Sequence, residues 1–305
     1  MLLQDVLKEF IFDCRMRKLS ERTIKGYKNN NLALFRYLEN EFELTELEEV
    51  TRAHIQEYIR FLTSKELTEV YINSVIKCFR AFFNYAIEEG YILEKRNPMN
   101  KVKFQKEPKV LINTFNDEEV RKMINYYGTK KFLDTRNRCI MIILFDTGIR
   151  NNELCDIKMG HVRDTYIEIH GKGKKIRHVP ITVIMNKILI RYLRVRENYI
   201  KDKPTYETEY LFLSQKGRKL TIETVENIVK KCGEGCNVRP EIRCSPHTCR
   251  HYYAQSQLKN GCDLFTVSKL LGHDNINITK RYLQSISNDD FFQLACRTSP
   301  LSNLK

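Results

Sequence analysis

The chain of 305 residues contains no tryptophan, no charged-then-apolar signal pattern in its first residues and no apolar run of membrane-spanning length. The first absence removes only one kind of anchor residue. The second and third are more informative. MLLQDVLKEF lacks the charged-then-apolar pattern of a signal peptide. The strongest apolar run, Cys139 to Phe145, is far shorter than the roughly 20 residues a spanning helix needs. The expectation is a soluble intracellular protein with no membrane partner. No P-loop, no HExxH pattern, no tandem repeat and no low-complexity tract occurs. Acidic residues are in deficit, with 38 Asp and Glu against 52 Lys and Arg, so the formal net charge is +14. That balance suits a polyanionic partner and by itself leaves nucleic acid and acidic membrane both open. The ten cysteines are scattered through a chain long enough to bury a core without staples, and they read as reduced thiols. Cys232, Cys236, Cys244 and Cys249 form the one cluster to weigh as a zinc site, and their spacing does not match paired knuckles.

The first hundred residues read as helical. Ser20 or Thr23 can cap a helix whose apolar stripe is Ile24, Tyr27, Leu34, Phe35 and Leu38, with Arg22, Lys25 and Lys28 off that stripe. A second helix spans about Thr51 to Leu62. A longer one follows with Ile72, Val75, Ile76, Phe79, Phe83 and Ile87 on its stripe, and it ends at Gly90. Its other face carries Asn73, Lys77, Arg80 and Asn84, which either meet solvent or reach base edges and phosphates along a groove. From Asn97 to about Thr114 two prolines and several lysines show no period, so residues 99–115 are expected to be an exposed linker between domains 1–98 and 116–305. Beyond it, Asn116 caps a helix and RCIMIILF reads as a buried one. Tyr166–His170 and Ile176–Ile181 read as paired strands around the turn GKGKK. Helical patterns return near Val183–Arg196, Thr221–Lys231, Thr248–Lys259 and Leu264–Leu271.

Taken singly, Arg150, Lys172 and Tyr282 are unremarkable, since each has an ordinary structural reading. Their order is more specific. TGIRNNEL, GKGKK, HTCRH, LLGH and a tyrosine nine residues beyond that last histidine follow one another through the second domain. This set resembles the tyrosine recombinase family, the lambda-type integrases, which includes phage and transposon integrases and the Xer recombinases. Carried over residue by residue, the resemblance implies catalytic roles for Arg150, Lys172, His247, Arg250, His273 and Tyr282.

The chemistry explains those residue types. A phosphodiester under attack concentrates negative charge, and two arginine forks can donate paired hydrogen bonds to its oxygens while staying protonated. Arg150 and Arg250 suit that role. A phenol with a pKa near ~10 is a weak nucleophile, so nearby positive charge must favour Tyr282 as it attacks. The departing 5′ oxygen needs a proton, and the resemblance assigns that to Lys172, with Lys174 and Lys175 as rivals. His273 would donate to a phosphate oxygen, and Glu153 would hold Arg150 without touching DNA. Such a scheme keeps the bond energy in a 3′-phosphotyrosine and needs neither ATP nor metal, although a dispersed carboxylate metal site stays open on sequence alone.

The resemblance further implies a mainly α fold with a small β-sheet. A helical, SAM-like core-binding domain would precede an α+β catalytic domain, the two forming a C-shaped DNA clamp. It implies double-stranded DNA with inverted-repeat core sites as partner, a homotetramer on two duplexes, room for accessory DNA-binding proteins, and a bacterial cytoplasmic, nucleoid-associated setting. The chain begins almost at once with the core-binding domain, as in Xer or simple transposon recombinases. The DNA-binding expectation falls on Arg22, Lys25, Lys28, Asn73, Lys77 and Arg80. Competing readings are a type IB topoisomerase, a telomere resolvase, or a regulator on the same fold that has lost cleavage. The tail SISNDDFFQLACRTSPLSNLK is expected to form a short helix capped by Asn288 or Asp289, whose Phe291, Phe292 and Leu294 dock on a neighbouring protomer or on their own domain.

Overall fold

The computed structural model describes residues 1–108, 111–171, 175–201 and 205–301, and it divides into two compact units, Met1–Lys109 and Val110–Lys305. Unit one is built from α1 (Leu3–Met16), α2 (Glu21–Phe42), α3 (Arg52–Ser64) and α4 (Glu69–Glu88). Short polar side chains start three of these helices by accepting the orphan N–H groups of the first turn. Ser20 caps α2 through Thr23 N, Thr68 caps α4 through Tyr71 N, and Thr51 with His54 closes a capping box on α3. The stripe on α4 is buried as periodicity requires except at its end, where Ile87 is partly buried, and Phe79, Phe82 and Phe83 are wholly enclosed, Phe82 against Phe10 and Phe35. Gly90 follows α4 with φ +75°, a conformation that costs glycine little and ends the helix.

The boundary between the units falls inside the expected linker, between Lys109 and Val110, and most of its described residues are exposed, but its two ends are packed. Met99 and Val102 are buried in the core of unit one, and Phe104 lies beside Arg80 and Lys77 of α4. Further along, Ile112 N–H donates to Ser285 Oγ, Thr114 Oγ1 donates to the Thr248 carbonyl, and Phe115 is buried in the core of unit two. The segment lacks a period because it packs as irregular chain against two different cores.

Unit two contains α5 (Asp117–Tyr126), α6 (Phe132–Thr147), α7 (Asn151–Cys155), β1 (Tyr166–His170), β2 (Ile176–Pro180), α8 (Val183–Ile200), α9 (Ile222–Gly235), α10 (Pro246–Lys259), α11 (Leu264–Leu271), α12 (Ile276–Lys280) and α13 (Asn288–Arg297). The strands pair antiparallel, Tyr166 opposite Pro180 and His170 opposite Ile176. Helix α6 is buried nearly all round from Cys139 to Phe145 and packs against α8 and α10, so it is the axis of this core. The fold is therefore mainly α with a small β-sheet. Helix α13 is capped by Ser287, one residue earlier than expected, because Ser287 and Asp290 form a reciprocal capping box. No helix among the described residues is long and apolar enough to cross a membrane.

Candidate active site

The chain reverses sharply after α6, where Gly148 takes φ +59° with its ideal Cβ position only 2.5 Å from the Tyr253 ring. A side chain there would meet both strain and a clash. That turn delivers Arg150 to the start of α7, where Glu153 accepts from its backbone N–H at 2.8 Å and from its guanidinium at 2.9 Å. Helix α10, opened by Ser245 and by Pro246 in its first turn, places His247 and His251 one turn apart on one face with Arg250 beside them. Gly272, in the left-handed region at φ +66°, ends α11 and turns His273 inward. The chain then passes through α12 into a 3-10 turn that carries Tyr282.

These elements converge on a cleft of ≈ 690 Å³ lined by Arg150, His247, Arg250, His251, His273 and Tyr282, with Arg243 and Arg281 adding positive charge. Arg250 is buried. Its Nη1 donates to the Gly148 carbonyl at 2.7 Å, and its Nη2 donates to the Leu271 carbonyl and meets His273 Nε2, each at 2.8 Å. A guanidinium has five N–H donors and no acceptor, so two of Arg250's donors remain beyond these contacts to serve the Tyr282 oxygen and a ligand. The same reasoning fixes His273. Its Nε2 must accept from Arg250, so the ring is neutral, and its proton sits on Nδ1, 2.7 Å from Thr279 Oγ1. Burial, with Arg250 and Arg150 nearby, pushes its pKa down to about 4. As arranged here His273 cannot donate to a phosphate oxygen, which differs from the role expected of it.

Tyr282 is 3% exposed, and its hydroxyl lies 3.0 Å from His251 Nδ1. Burial raises its pKa, and Arg250, Arg281 and Arg150 pull it the other way. The His251 pKa is pushed down to about 4 by burial, then by His247, Arg250 and Arg281. His247 is lowered by burial and then by Arg250, Arg243, Arg150 and Arg281, and its ring stands edge-on to His251 with centroids 4.2 Å apart. Both imidazoles are thus neutral at physiological pH.

Lys172, and its rival Lys174, lie outside the described residues. The shoulders of their hairpin are well placed: Gly171 N–H donates to the Lys175 carbonyl, and Lys175 pairs with Asp274, the residue after His273. Sequence reasoning missed Arg177. It donates to both carboxylate oxygens of Glu153, at 2.9 and 2.7 Å, and to the Leu270 carbonyl. Glu153 is therefore clamped between Arg150 and Arg177, and although burial opposes its charge, Arg177 and Arg150 hold its pKa below the usual carboxylate value. Alternation on β2 carried the signal, since Arg177 shares its inward face with buried Val179, and an arginine on a buried strand face requires an acid.

The DNA-facing candidates of unit one separate into two groups. Arg22, Lys25, Lys28 and Lys77 are exposed. Asn73 is buried, and its amide donates to the Gln105 carbonyl and to Glu107 while its oxygen accepts from Gln105 N–H, so it is a brace for that segment and not a DNA-reading group. Arg80 donates to the Val102 carbonyl and stacks 4.1 Å from the Phe104 ring centroid, which removes most of its reach. The cysteines are free thiols, with Cys232 and Cys249 buried and Cys236 and Cys244 partly so. Among the described residues no group of His, Cys, Asp or Glu is arranged to hold a metal.

A sequence model of the Phage integrase family matches residues 113–288, and one of the Phage integrase SAM-like domain matches residues 3–104. Tyrosine recombinase XerD of Listeria monocytogenes serovar 1/2a is 29% identical over 283 residues, covering 92% of this chain and 94% of that protein. Tyrosine recombinase XerC of Thermodesulfovibrio yellowstonii is 31% identical over 266 residues, covering 86% and 85%. Among solved structures, XerH site-specific recombinase bound to palindromic difH substrate in a post-cleavage complex superposes with a TM-score of 0.74 at 23% identity, covering 94% of this chain and 82% of that one. A lambda integrase tetramer bound to a Holliday junction superposes with a TM-score of 0.71 at 17% identity, covering 92% and 77%.

Proposed function

The chain belongs to the phage integrase family of tyrosine site-specific recombinases, and we propose that Tyr282 is the residue through which it cuts and rejoins DNA. The observation that carries this assignment is the seat of the hydroxyl in a cleft lined by Arg150, Arg250, His247, His251 and His273. Attack on a phosphodiester moves charge onto the non-bridging oxygens, and preorganised donors stabilise that charge without reorganising at the moment of reaction. The remaining donors of Arg250 and the half-exposed guanidinium of Arg150 supply it. His247 adds a neutral donor. His273 orients Arg250, Glu153 orients Arg150, and Lys172 gives the leaving 5′ oxygen its proton. The product is a 3′-phosphotyrosine, which a 5′ hydroxyl reverses without ATP or metal.

Residues 1–98 are assigned to core binding and 116–305 to catalysis, with Arg22, Lys25, Lys28 and Lys77 contacting phosphates. Inverted-repeat DNA and a tetramer on two duplexes complete the reading. Helix α13 supports association of protomers. It has no buried residue, Phe291 and Phe292 are 43% and 68% exposed, and Lys259 and Asp290 tie it to α10. Those phenyl rings fit a second copy of this chain.

The test uses a half-site selected by binding from a random-sequence duplex library and rebuilt as a nicked suicide duplex. The wild-type protein should form a denaturant-resistant adduct that maps to Tyr282. Tyr282→Phe should bind the same duplex and form none, and an undiminished adduct in that variant would sink the assignment.

A further inference from the structure

The cleft contains one imidazole that the six matched positions leave without work. His251 lies one helical turn beyond His247 on α10, and its Nδ1 is the hydrogen-bond partner of the Tyr282 hydroxyl at 3.0 Å. We propose that His251 is the proton acceptor for Tyr282, taking the phenolic proton as the oxygen attacks phosphorus. The inference rests on the assignment of Tyr282 as nucleophile made above.

The alternatives around the hydroxyl favour His251. Arg150, Arg250 and Arg281 influence Tyr282, but a guanidinium donates and cannot receive a proton. His273 has its Nε2 engaged by Arg250 and its Nδ1 by Thr279. His247 touches His251 edge-on. Glu226 of α9 also lines the cleft, and no hydrogen bond joins it to Tyr282 among the described residues. Nδ1 of His251 has the geometry a general base needs before substrate arrives.

Basicity must also suffice. Burial, the neighbouring His247 and the Arg250 and Arg281 cations keep His251 neutral, which leaves Nδ1 free to accept. The same cations make it a poor base in this arrangement. A phosphodiester entering the cleft carries a negative charge to those arginines, offsetting the field that depresses the imidazole, so substrate itself tunes the acceptor toward its ordinary range.

The step balances. The Tyr282 oxygen–phosphorus bond forms as its proton passes to His251 Nδ1. The bond from phosphorus to the 5′ oxygen breaks, and that oxygen takes a proton from the general acid assigned to Lys172. Rejoining runs the same transfers backwards, with His251 returning its proton to the phenol.

His251→Asn keeps an acceptor near the Nδ1 position but cannot carry the proton away, and His251→Ala removes both. Adduct formation is measured at saturating selected half-site, alongside affinity and thermal melting. Both variants should bind within about twofold of wild type and react at least about tenfold more slowly. The wild-type rate should rise with pH between the depressed value of about 4 and the ordinary histidine value near ~6.5, and both variants should lose that rise. Replacing the scissile 5′ oxygen by sulfur gives a leaving group that needs no proton. That substrate should repair a Lys172→Ala variant and leave the His251 variants slow. A wild-type rate in His251→Ala, repair by the sulfur substrate, or full recovery in His251→Asn would overturn the proposal. If His251→Ala does not melt as a folded protein, the Asn variant alone decides. Failure of the wild-type protein itself to form an adduct on Tyr282 would overturn the underlying assignment instead.

Discussion

In unit one the polar side chains across α4 are turned onto the chain's own residues, Asn73 onto 105–107 and Arg80 onto 102–104. In unit two the residues that looked individually ordinary, Arg150, Arg250 and Tyr282, converge on one cleft. The surroundings make the difference. Asn73 and Arg80 lie against irregular chain with exposed carbonyl and amide groups, which any nearby donor will satisfy. The cleft of unit two faces several arginines toward one another with few acids between them. Like charges held together in a partly buried site cost stability, so they mark a place built for an anion.

The largest effects should come from the two cleft arginines, and they should differ in kind. Arg150→Ala and Arg250→Ala should each slow adduct formation by about 10²–10³ at saturating DNA, as expected for losing a preorganised donor. Arg250→Ala should lower the melting temperature more, because Gly148 and Leu271 both lose the donor on their carbonyls, whereas half-exposed Arg150 serves one carbonyl, that of Gly272, and Glu153 keeps Arg177. Equal melting of the two variants would break the distinction between a residue that binds substrate and one that also holds the fold.

That distinction also shows what the sequence could and could not reveal. Helices α2–α6 and α8–α11, the β1–β2 pair and the caps at Ser20 and Asn116 were legible because period and capping are local properties, whereas α1, α7 and α12 were not marked out. The motif set was legible because its order is specific. Asn73 was misread because periodicity assigns a face, and the structure covers that face with a segment 32 residues away in the chain. Arg177 had a local signal in the alternation of β2, but its partner did not: Glu153 lies 24 residues earlier and had already been paired with Arg150. Tyr282 and His251 meet only after α10, α11 and α12 have folded, so their contact at a separation of 31 residues had no local signature.

Asn73→Ala should act on stability and not on DNA. It removes three hydrogen bonds from a buried amide, and a loss of about 1–3 kcal/mol in unfolding free energy is expected by denaturant titration. DNA affinity measured well below the new midpoint should stay within about twofold. A weakened complex with unchanged stability would return Asn73 to the DNA-facing group.

A second buried carboxylate sharpens the comparison within unit two. Glu119 closes the capping box that Asn116 opens on α5 and pairs with Arg239, away from the cleft. Burial opposes its charge, but the Arg239 guanidinium and the Asn116 and Arg239 N–H groups bring its pKa down to about 2. A folded value below the ordinary 4.5 means the pair stabilises the protein above that pH, and the contribution is lost as pH falls toward about 2. Glu119→Gln should lower the melting temperature by about 2–4 °C at neutral pH. The gap should shrink in acid, and cleavage should be unaffected. Glu153→Gln should instead slow cleavage, since it loosens Arg150 and Arg177 together.

The smallest effect belongs to Lys77. It shares α4 with Asn73 and Arg80 but remains exposed, with its ammonium 5.8 Å from the Phe104 ring centroid. An exposed lysine gains little from that ring and has no ion pair among the described residues, so its removal should leave folding unchanged. If it contacts a phosphate, Lys77→Ala should weaken binding severalfold and evenly across sequences, and it should reduce the slope of log affinity against log salt by about 1. Arg22, Lys25 and Lys28 on α2 should behave alike, each removing about one further counterion. A variant that changed sequence preference without changing the salt slope would mean that Lys77 reads a base edge. An unchanged affinity would mean that the DNA contacts of unit one lie on α2, and that the polar face of α4 serves the fold throughout.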